Sequence, residues 1–367
     1  MAESVPLISV VMPVRNGERF VAQATNSILS QTFGDFEFIV IDDGSTDATA
    51  DILADYTRLD GRLRVHRCAQ LGMVPALNLG CELARGTYLA RMDADDVASP
   101  QRFAEQVAFL ECHPRVAVLG AAILVVDERQ GPLFPVWYPT TNTMLRRSLA
   151  DGSAFAHPVV MMRRTAFQSS GGYRASFDPH AADYDLWLRM SEYSEFANLP
   201  DILLHYRFHP GGVSFYNLSQ QVLAMVGAES SARMRRSGQP DLFDRTQTIT
   251  VDTLLEMEPK QDVLFSRILE LSAARCGWLV RVNQPDEALQ LLRWAEALSG
   301  LSAGRRARAK ANVMRALAWR CKGAFWPSAA AAARAVLVDP LFVLETFIAG
   351  STMLGRGRLE RSRLLRH

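Results

Sequence analysis

FEFIVIDDGSTD, residues 36–47, is the stretch on which the fold turns. Its first six residues are almost all apolar and rich in aromatic and β-branched side chains, which reads as a short buried strand. Two aspartates and a polar Gly-Ser-Thr-Asp turn follow. Next comes a helix carrying Ile52, Leu53 and Tyr56 on one side. The same unit recurs outward in both directions. LISVVMPV (7–14) is an earlier buried strand, broken by RNG. From Glu18 to Thr32, Phe20, Val21, Ala24, Ile28 and Leu29 keep helical spacing. RLRVHR (62–67) predicts a third strand, Leu77, Cys81 and Ala84 another helix, and TYLARM (87–92) a fourth strand. Ser99-Pro100 reads as an N-cap and first helical position for a helix with Phe103, Val107 and Leu110, and VAVLGAAILVV (116–126) as a further strand. Strands alternating with helices predict an α/β fold: a mostly parallel sheet with helices on both faces.

That layout places the acidic residues. Asp42 and Asp43 follow the second strand, and Asp93 and Asp95 follow the fourth, within LARMDADD (89–96). In open parallel sheets, ligands bind outside the carboxyl ends of the strands where strand order reverses. The two clusters can therefore face a common crevice; the plain alternative is two ordinary Asp-rich turns. Three carboxylates among four residues repel one another unless solvent, a basic partner or a cation offsets them. Mg²⁺ and Mn²⁺ take oxygen ligands, and alternate residues of an extended stretch face the same way. Asp93 and Asp95 suit that task.

Residues 127–155 are less regular. HPVVMMRR (157–164) and a GGY turn (171–173) lead to ADYDLWLRM (182–190), read as a helix because Leu186 and Met190 stand four apart. From Leu218 the pattern is helical. NQPDEALQLLRWAEAL (283–298) puts Ala288, Leu291, Leu292 and Ala295 on one face, and two further helical segments follow. They are similar to antiparallel helical hairpins, without a clean repeat period. The expected organisation is an α/β domain over 1–217 and a helical region over 218–367 with a basic amphipathic end.

Hydrophobic content of 49% and charged content of 22% across 367 residues describe a folded chain. A net charge of +1 offers no general attraction to nucleic acid. Residues 301–367 nonetheless carry thirteen Arg or Lys against three Asp or Glu, which leaves the remainder acidic. Such a tail suits an anionic membrane surface or a solvated helical face. The five scattered cysteines fit reduced thiols rather than disulfides or zinc. No basic region precedes the first apolar run, and no uncharged apolar run approaches the ~20 residues needed to span a bilayer. PLFVLETFIAGSTMLG (340–355) comes nearest; it contains Glu345 and precedes Arg356, Arg358, Arg361, Arg363 and Arg366. It reads as an amphipathic segment lying on a membrane or as a core helix. The expected location is cytoplasmic, peripheral on the inner face of the cytoplasmic membrane.

ISVVMPVRNGE, FIVIDDGSTD, ARGTYLARMDADD and ADYDLWLR, in this order and spacing, resemble a family 2 glycosyltransferase of the GT-A type over roughly residues 7–215. The resemblance implies a Rossmann-like domain that transfers a sugar with inversion from a nucleotide-sugar donor, using Mg²⁺ or Mn²⁺. By resemblance Asp95 is the direct metal ligand, Asp93 contacts ribose or the metal through water with Ala94 between them, and Asp96 caps the next turn. Asp43, with Asp42, accepts hydrogen bonds from the base, as from N3–H of uracil; a turn or helix-cap role fits Asp42 equally. Pro13, Val14, Arg15 and Asn16 flank the nucleoside. The family often has an aromatic residue where Arg15 stands; a guanidinium there could stack on the base or approach phosphate. Asp183 matches the base of the family's Glu-Asp pair, with Ala182 replacing the Glu and Asp185 as backup; the plain alternative is a helix-capping Asp183. His157 and Arg163 fall in a segment near donor or acceptor. His209 joins the metal or diphosphate, Arg207 neutralises charge, and Gly211 and Gly212 suit a loop that orders over donor. The acceptor would be a saccharide or lipid-linked oligosaccharide in cell-surface polysaccharide synthesis. Two alternatives remain: a nucleotidyltransferase, against which MPVRNGE has only one glycine for a phosphate loop, and a degenerate nucleotide-sugar-binding module without transfer activity.

Overall fold

Six short segments of β-structure and the helices between them build the first 126 residues: β1 (Ile8–Val14), α1 (Val21–Leu29), β2 (Phe36–Asp42), α2 (Thr49–Leu59), β3 (Leu63–Arg67), α3 (Met73–Leu83), β4 (Tyr88–Arg91), β5 (Val97–Ala98), α4 (Arg102–Cys112) and β6 (Val116–Val126). Then come β7 (Pro132–Val136), α5 (Asn142–Ser148), β8 (Met161–Arg163), α6 (Arg164–Ser169), α7 (Ala182–Met190), β9 (Glu195–Arg207) and α8 (Leu218–Arg236). The structure is a computed structural model that describes residues 5–150, 152–209, 212, 217–244, 248–300, 302–339 and 342. Its contacts divide the chain into two units, Met1–Tyr216 with Gly227–Ile249 and Asn217–Val226 with Thr250–His367.

The sheet of the first unit runs β3-β2-β1-β4-β8-β6-β9-β5, with β7 on β6. β3, β2, β1 and β4 are mutually parallel, as the alternating pattern requires. Every residue of β2 is buried, so both faces of the sheet are covered there. The far half is mixed: β8 is antiparallel to β4 and β6, whereas β9 is parallel to β6. β9 has no clear signature in sequence. Its pairing with β6 skips Pro200 and Asp201, an exposed bulge that interrupts the apolar alternation. α4 also begins later than expected, at Arg102, with no side-chain cap; the Ser99 hydroxyl donates to Gln101 instead.

At the end of the sheet opposite the acidic clusters, Glu37 is buried in β2. It accepts hydrogen bonds from Ser9 Oγ (2.6 Å), the Arg85 backbone N–H (2.8 Å) and the Arg64 side chain. Burial pushes its carboxyl up, but these bonds and the Arg64 charge outweigh that and hold it below the ordinary range. The turn that delivers Arg85 passes against β1 at Gly86. A Cβ there would stand 2.6 Å from Ser9 N and 2.8 Å from Ile8 C, so the glycine is required by close approach. Gly86→Ala should therefore destabilise the chain by about 1–3 kcal/mol, read as a lowered urea midpoint with an unchanged slope.

The second unit contains α9 (Val251–Met257), α10 (Gln261–Arg281), α11 (Pro285–Ser299), α12 (Arg305–Cys321) and α13 (Phe325–Val338). α10 packs on α11 and α12, and α12 on α13. Ala288, Leu289, Leu291, Leu292 and Ala295 form the buried stripe of α11, whose first turn has Pro285 at its start and two acidic residues beside the helix dipole. No helix among the described residues is long and apolar enough to cross a membrane. Segment 340–355, apart from Phe342, and the arginines from Arg356 to Arg366 lie outside the described residues.

Candidate active site

The carboxyl ends of β1, β2 and β4 form one rim. Asp43 N–H donates to Val14 O (2.8 Å), and Met92 N–H donates to Val11 O (3.1 Å). Beyond Pro13 and Val14 the chain turns sharply: Asn16 has φ of 51° and its Oδ1 accepts from Thr46 N–H (2.9 Å). The Asn16 and Gly17 N–H groups donate to Ser45 Oγ and Thr49 Oγ1, so this loop lies over the turn after β2. Arg15 is exposed at its edge. A Cβ on Gly17 would meet Val14 Cγ2 at 2.7 Å and Ala94 Cβ at 4.0 Å, which sets the loop beside the second acidic cluster.

Asp42 and Asp43 have different tasks. Asp42 is fully buried and accepts from Ser45 N–H (2.9 Å), a local turn bond, with Arg67 3.6 Å away. Asp43 accepts the backbone N–H groups of Leu71 and, at 2.9 Å, Gly72. Its carboxylate thus caps the segment entering α3, and base recognition would use the remaining lone pairs of its oxygens. Asp178 Oδ1 receives Val74 N–H (3.3 Å) at the same helix start.

The second cluster is tighter. Asp93, Asp95 and Asp96 each offer one oxygen, all within 4.8 Å of one another. Asp93 Oδ1 accepts from Arg91 Nη2 (2.6 Å), and Arg91 is buried beneath it, also donating to Met92 O. Asp95 Oδ2 stands 2.9 Å from His209 Nε2, with a third of its side chain exposed. Asp96 accepts from Arg207 N–H at Oδ1 (2.8 Å), so it ties β9 to the cluster instead of capping the next turn. Its Oδ2 is buried without a hydrogen-bond partner. Burial, then the charge of Asp95, push the Asp96 carboxyl well up; burial also raises Asp93, against the pull of Arg91. An orphaned buried oxygen and carboxylates whose charged form is disfavoured by burial and mutual repulsion are what a divalent cation would relieve. Hard oxygen donors at this spacing fit one ion with bonds of about 2.0–2.6 Å.

Arg207 braces this arrangement. It donates to Asp95 O (2.7 Å), Glu128 O (2.6 Å) and Gln23 Oε1 (2.6 Å), and its guanidinium lies 4.4 Å from the Phe20 ring centroid. The described residues stop at His209 and resume only at Gly212 and then Asn217; Gly211 lies outside them.

Asp183, second residue of α7, is half-buried. Burial raises its carboxyl, against hydrogen bonds from the backbone N–H groups of Tyr184 and of Asp183 itself, which cap the start of α7; the Arg91 charge lowers it and the Asp93 charge raises it more weakly. Asp185 is elsewhere: fully buried, it is held by Arg174 (Nε–Oδ2 3.0 Å) and Arg189 (2.9 Å). His157 Nε2 lies 2.8 Å from the Tyr173 hydroxyl, and burial followed by the Arg91 charge pushes the imidazole well down, keeping it neutral. Arg163 is not brought to the rim. It pairs with Tyr88 at the opposite end of β4 from Asp93 and donates to Leu110 O (2.7 Å) and Val116 O (3.0 Å).

The family model described as Glycosyl transferase family 2 matches residues 9–171. The O-antigen biosynthesis glycosyltransferase WbnJ of Escherichia coli is 32% identical over 249 residues, 66% of this chain and 91% of that one. This chain belongs to glycosyl transferase family 2. The glycosyltransferase shares its fold with TarS 1–349 of S. aureus in complex with UDP-GlcNAc (TM-score 0.51, 18% identity, 79% of this chain and 90% of that one). It shares it equally with mannosyltransferase PcManGT from Pyrobaculum calidifontis in complex with GDP-Man and Mn²⁺ (TM-score 0.51, 16% identity, 88% of each chain). The GT-A expectation is met, and the nucleotidyltransferase alternative falls with the family. The sequence pattern does not single out Arg91 as a site residue of this glycosyltransferase. For Arg91 a signal existed: a cation inside the apolar strand LARM has to find a carboxylate, and Asp93 is two residues on.

Proposed function

We propose that this glycosyltransferase moves a sugar, with inversion, from a UDP-sugar to a hydroxyl of a saccharide or lipid-linked acceptor during assembly of a cell-surface polysaccharide. The carrying observation is the three-carboxylate cluster with its orphaned Asp96 oxygen, in the same locale as Asp183. The UDP-GlcNAc held by one fold neighbour and the O-antigen role in the name of WbnJ support the finer parts. Asp95, Asp93 and Asp96 would hold Mg²⁺ or Mn²⁺, which when bound offsets the charge that develops on the diphosphate leaving group. Pro13 to Asn16 and the free lone pairs of Asp43 would take the nucleoside. The acceptor oxygen attacks the anomeric carbon, the bond from that carbon to the diphosphate oxygen breaks, and the nucleoside diphosphate leaves with the bonding electrons. The acceptor proton passes to Asp183, whose raised carboxyl suits a general base better than an ordinary aspartate.

A thermal-shift screen of UDP-, GDP- and dTDP-sugars with Mn²⁺ tests the reading. UDP-sugars should raise the melting midpoint most, and withholding Mn²⁺ should abolish the shift. Equal shifts without Mn²⁺, or none with any donor, would count against it.

A further inference from the structure

Tyr173 poses a question that packing does not answer. It is 3% exposed, and a phenylalanine would fill the same space without a hydroxyl to desolvate. The hydroxyl is satisfied by His157 Nε2 at 2.8 Å. Both groups are held in place by other elements. Asn78 of α3 grips the Tyr173 backbone twice, donating to its carbonyl (2.8 Å) and accepting from its N–H (3.0 Å). Arg189 of α7 donates to Gly172 O (2.6 Å), and Arg174 pairs with Asp185, so the 170–174 turn is bound to α7 on both sides of Tyr173.

The imidazole then reaches α7 directly. Its ring packs edge-on against Trp187, with centroids 6.1 Å apart. Trp187 stands four residues after Asp183, hence on the same helix face one turn further on. The 3-10 turn beginning at His157 leads to Val160 O, which accepts the Arg91 backbone N–H (2.9 Å). The hydroxyl–imidazole pair is therefore a part-buried strut between the helix carrying Asp183 and the strand end carrying Arg91 and Asp93.

We propose that Tyr173, acting through His157, is a positioning residue for sugar transfer: its hydroxyl holds the imidazole against α7 and so sets the place of Asp183 relative to Asp93. This rests on the general-base reading of Asp183 above. The hydroxyl's hydrogen bond runs to His157 and not to Asp183, so its removal should act on turnover and leave donor binding intact.

The test reads release of UDP from UDP-GlcNAc and of GDP from GDP-mannose with Mn²⁺, using the donor the wild-type chain turns over. Tyr173→Phe should lower kcat about tenfold to hundredfold, with donor KM and the Mn²⁺ requirement within about twofold and the melting midpoint nearly unchanged. His157→Leu should give the same drop. Tyr173→Phe and His157→Leu together should cost no more than either alone, as for groups acting as one unit. His157→Gln, which keeps an acceptor for the hydroxyl, should recover most of the rate. Wild-type kcat in Tyr173→Phe, losses that multiply in the double variant, or a loss confined to KM or stability would overturn the proposal. Asp183→Asn is run alongside. If it is inactive while Tyr173→Phe is fully active, only the strut fails; if it is active, the base reading fails and the strut with it.

Discussion

Asp95→Ala should lower kcat/KM for the donor by about 10³-fold, some 4 kcal/mol of transition-state stabilisation. Asp95 is the most exposed member of the cluster, with its Oδ2 beside His209, whereas Asp93 is engaged by Arg91 and Asp96 is buried and engaged by the Arg207 backbone. Removing it relieves Asp93 and Asp96 of the repulsion of a third carboxylate and gives up the hydrogen bond to His209, so the apo fold should change little in stability. Circular dichroism and the melting midpoint without metal should match the wild type, while Mn²⁺-dependent stabilisation disappears. Asp96→Ala is expected to differ: it frees a hydrogen bond to β9 and should lower stability as well.

Asp183→Asn should lower kcat by about 10²- to 10⁴-fold and leave donor KM and Mn²⁺ affinity near wild type. Asparagine has the shape of aspartate but accepts no proton at neutral pH. The wild-type rate should fall as pH drops, because a protonated Asp183 cannot take the acceptor proton. Burial and the Asp93 charge place that fall above the range of an ordinary aspartate near 3.9. The acidic limb assigned to Asp183 should vanish from the residual rate of the variant. A kcat unchanged in Asp183→Asn would show that the proton goes elsewhere. Asp185→Asn should instead lower stability, because Arg174 and Arg189 would lose a buried counter-charge.

Much of this was legible in the sequence where local pattern governs structure. β1, β2 and β4 are mostly apolar, buried runs of a parallel sheet, and the acidic residues follow directly at the carboxyl ends of β2 and β4. β9 escaped because Pro200 and Asp201 bulge out of it, and β8 because three residues carry no period. In the site, the sequence displays charge but not partner. Asp43 looks like a free carboxylate until the chain returns nearly thirty residues later and places two backbone N–H groups on it. Arg163, Arg207 and Asp185 look equally available. Each is committed to protein groups, across 47 to 75 residues for Arg163 and 79 to 184 for the side chain of Arg207. The strut from Tyr173 to His157 depends on the same kind of long-range closure.

The most direct test of the central claim is a Mn²⁺ titration by electron paramagnetic resonance in the presence of UDP, on wild type and Asp95→Ala. The account predicts one bound Mn²⁺ per wild-type chain and an affinity at least about 100-fold weaker in the variant. Equal Mn²⁺ binding by both proteins, or none by the wild type with UDP present, would contradict it.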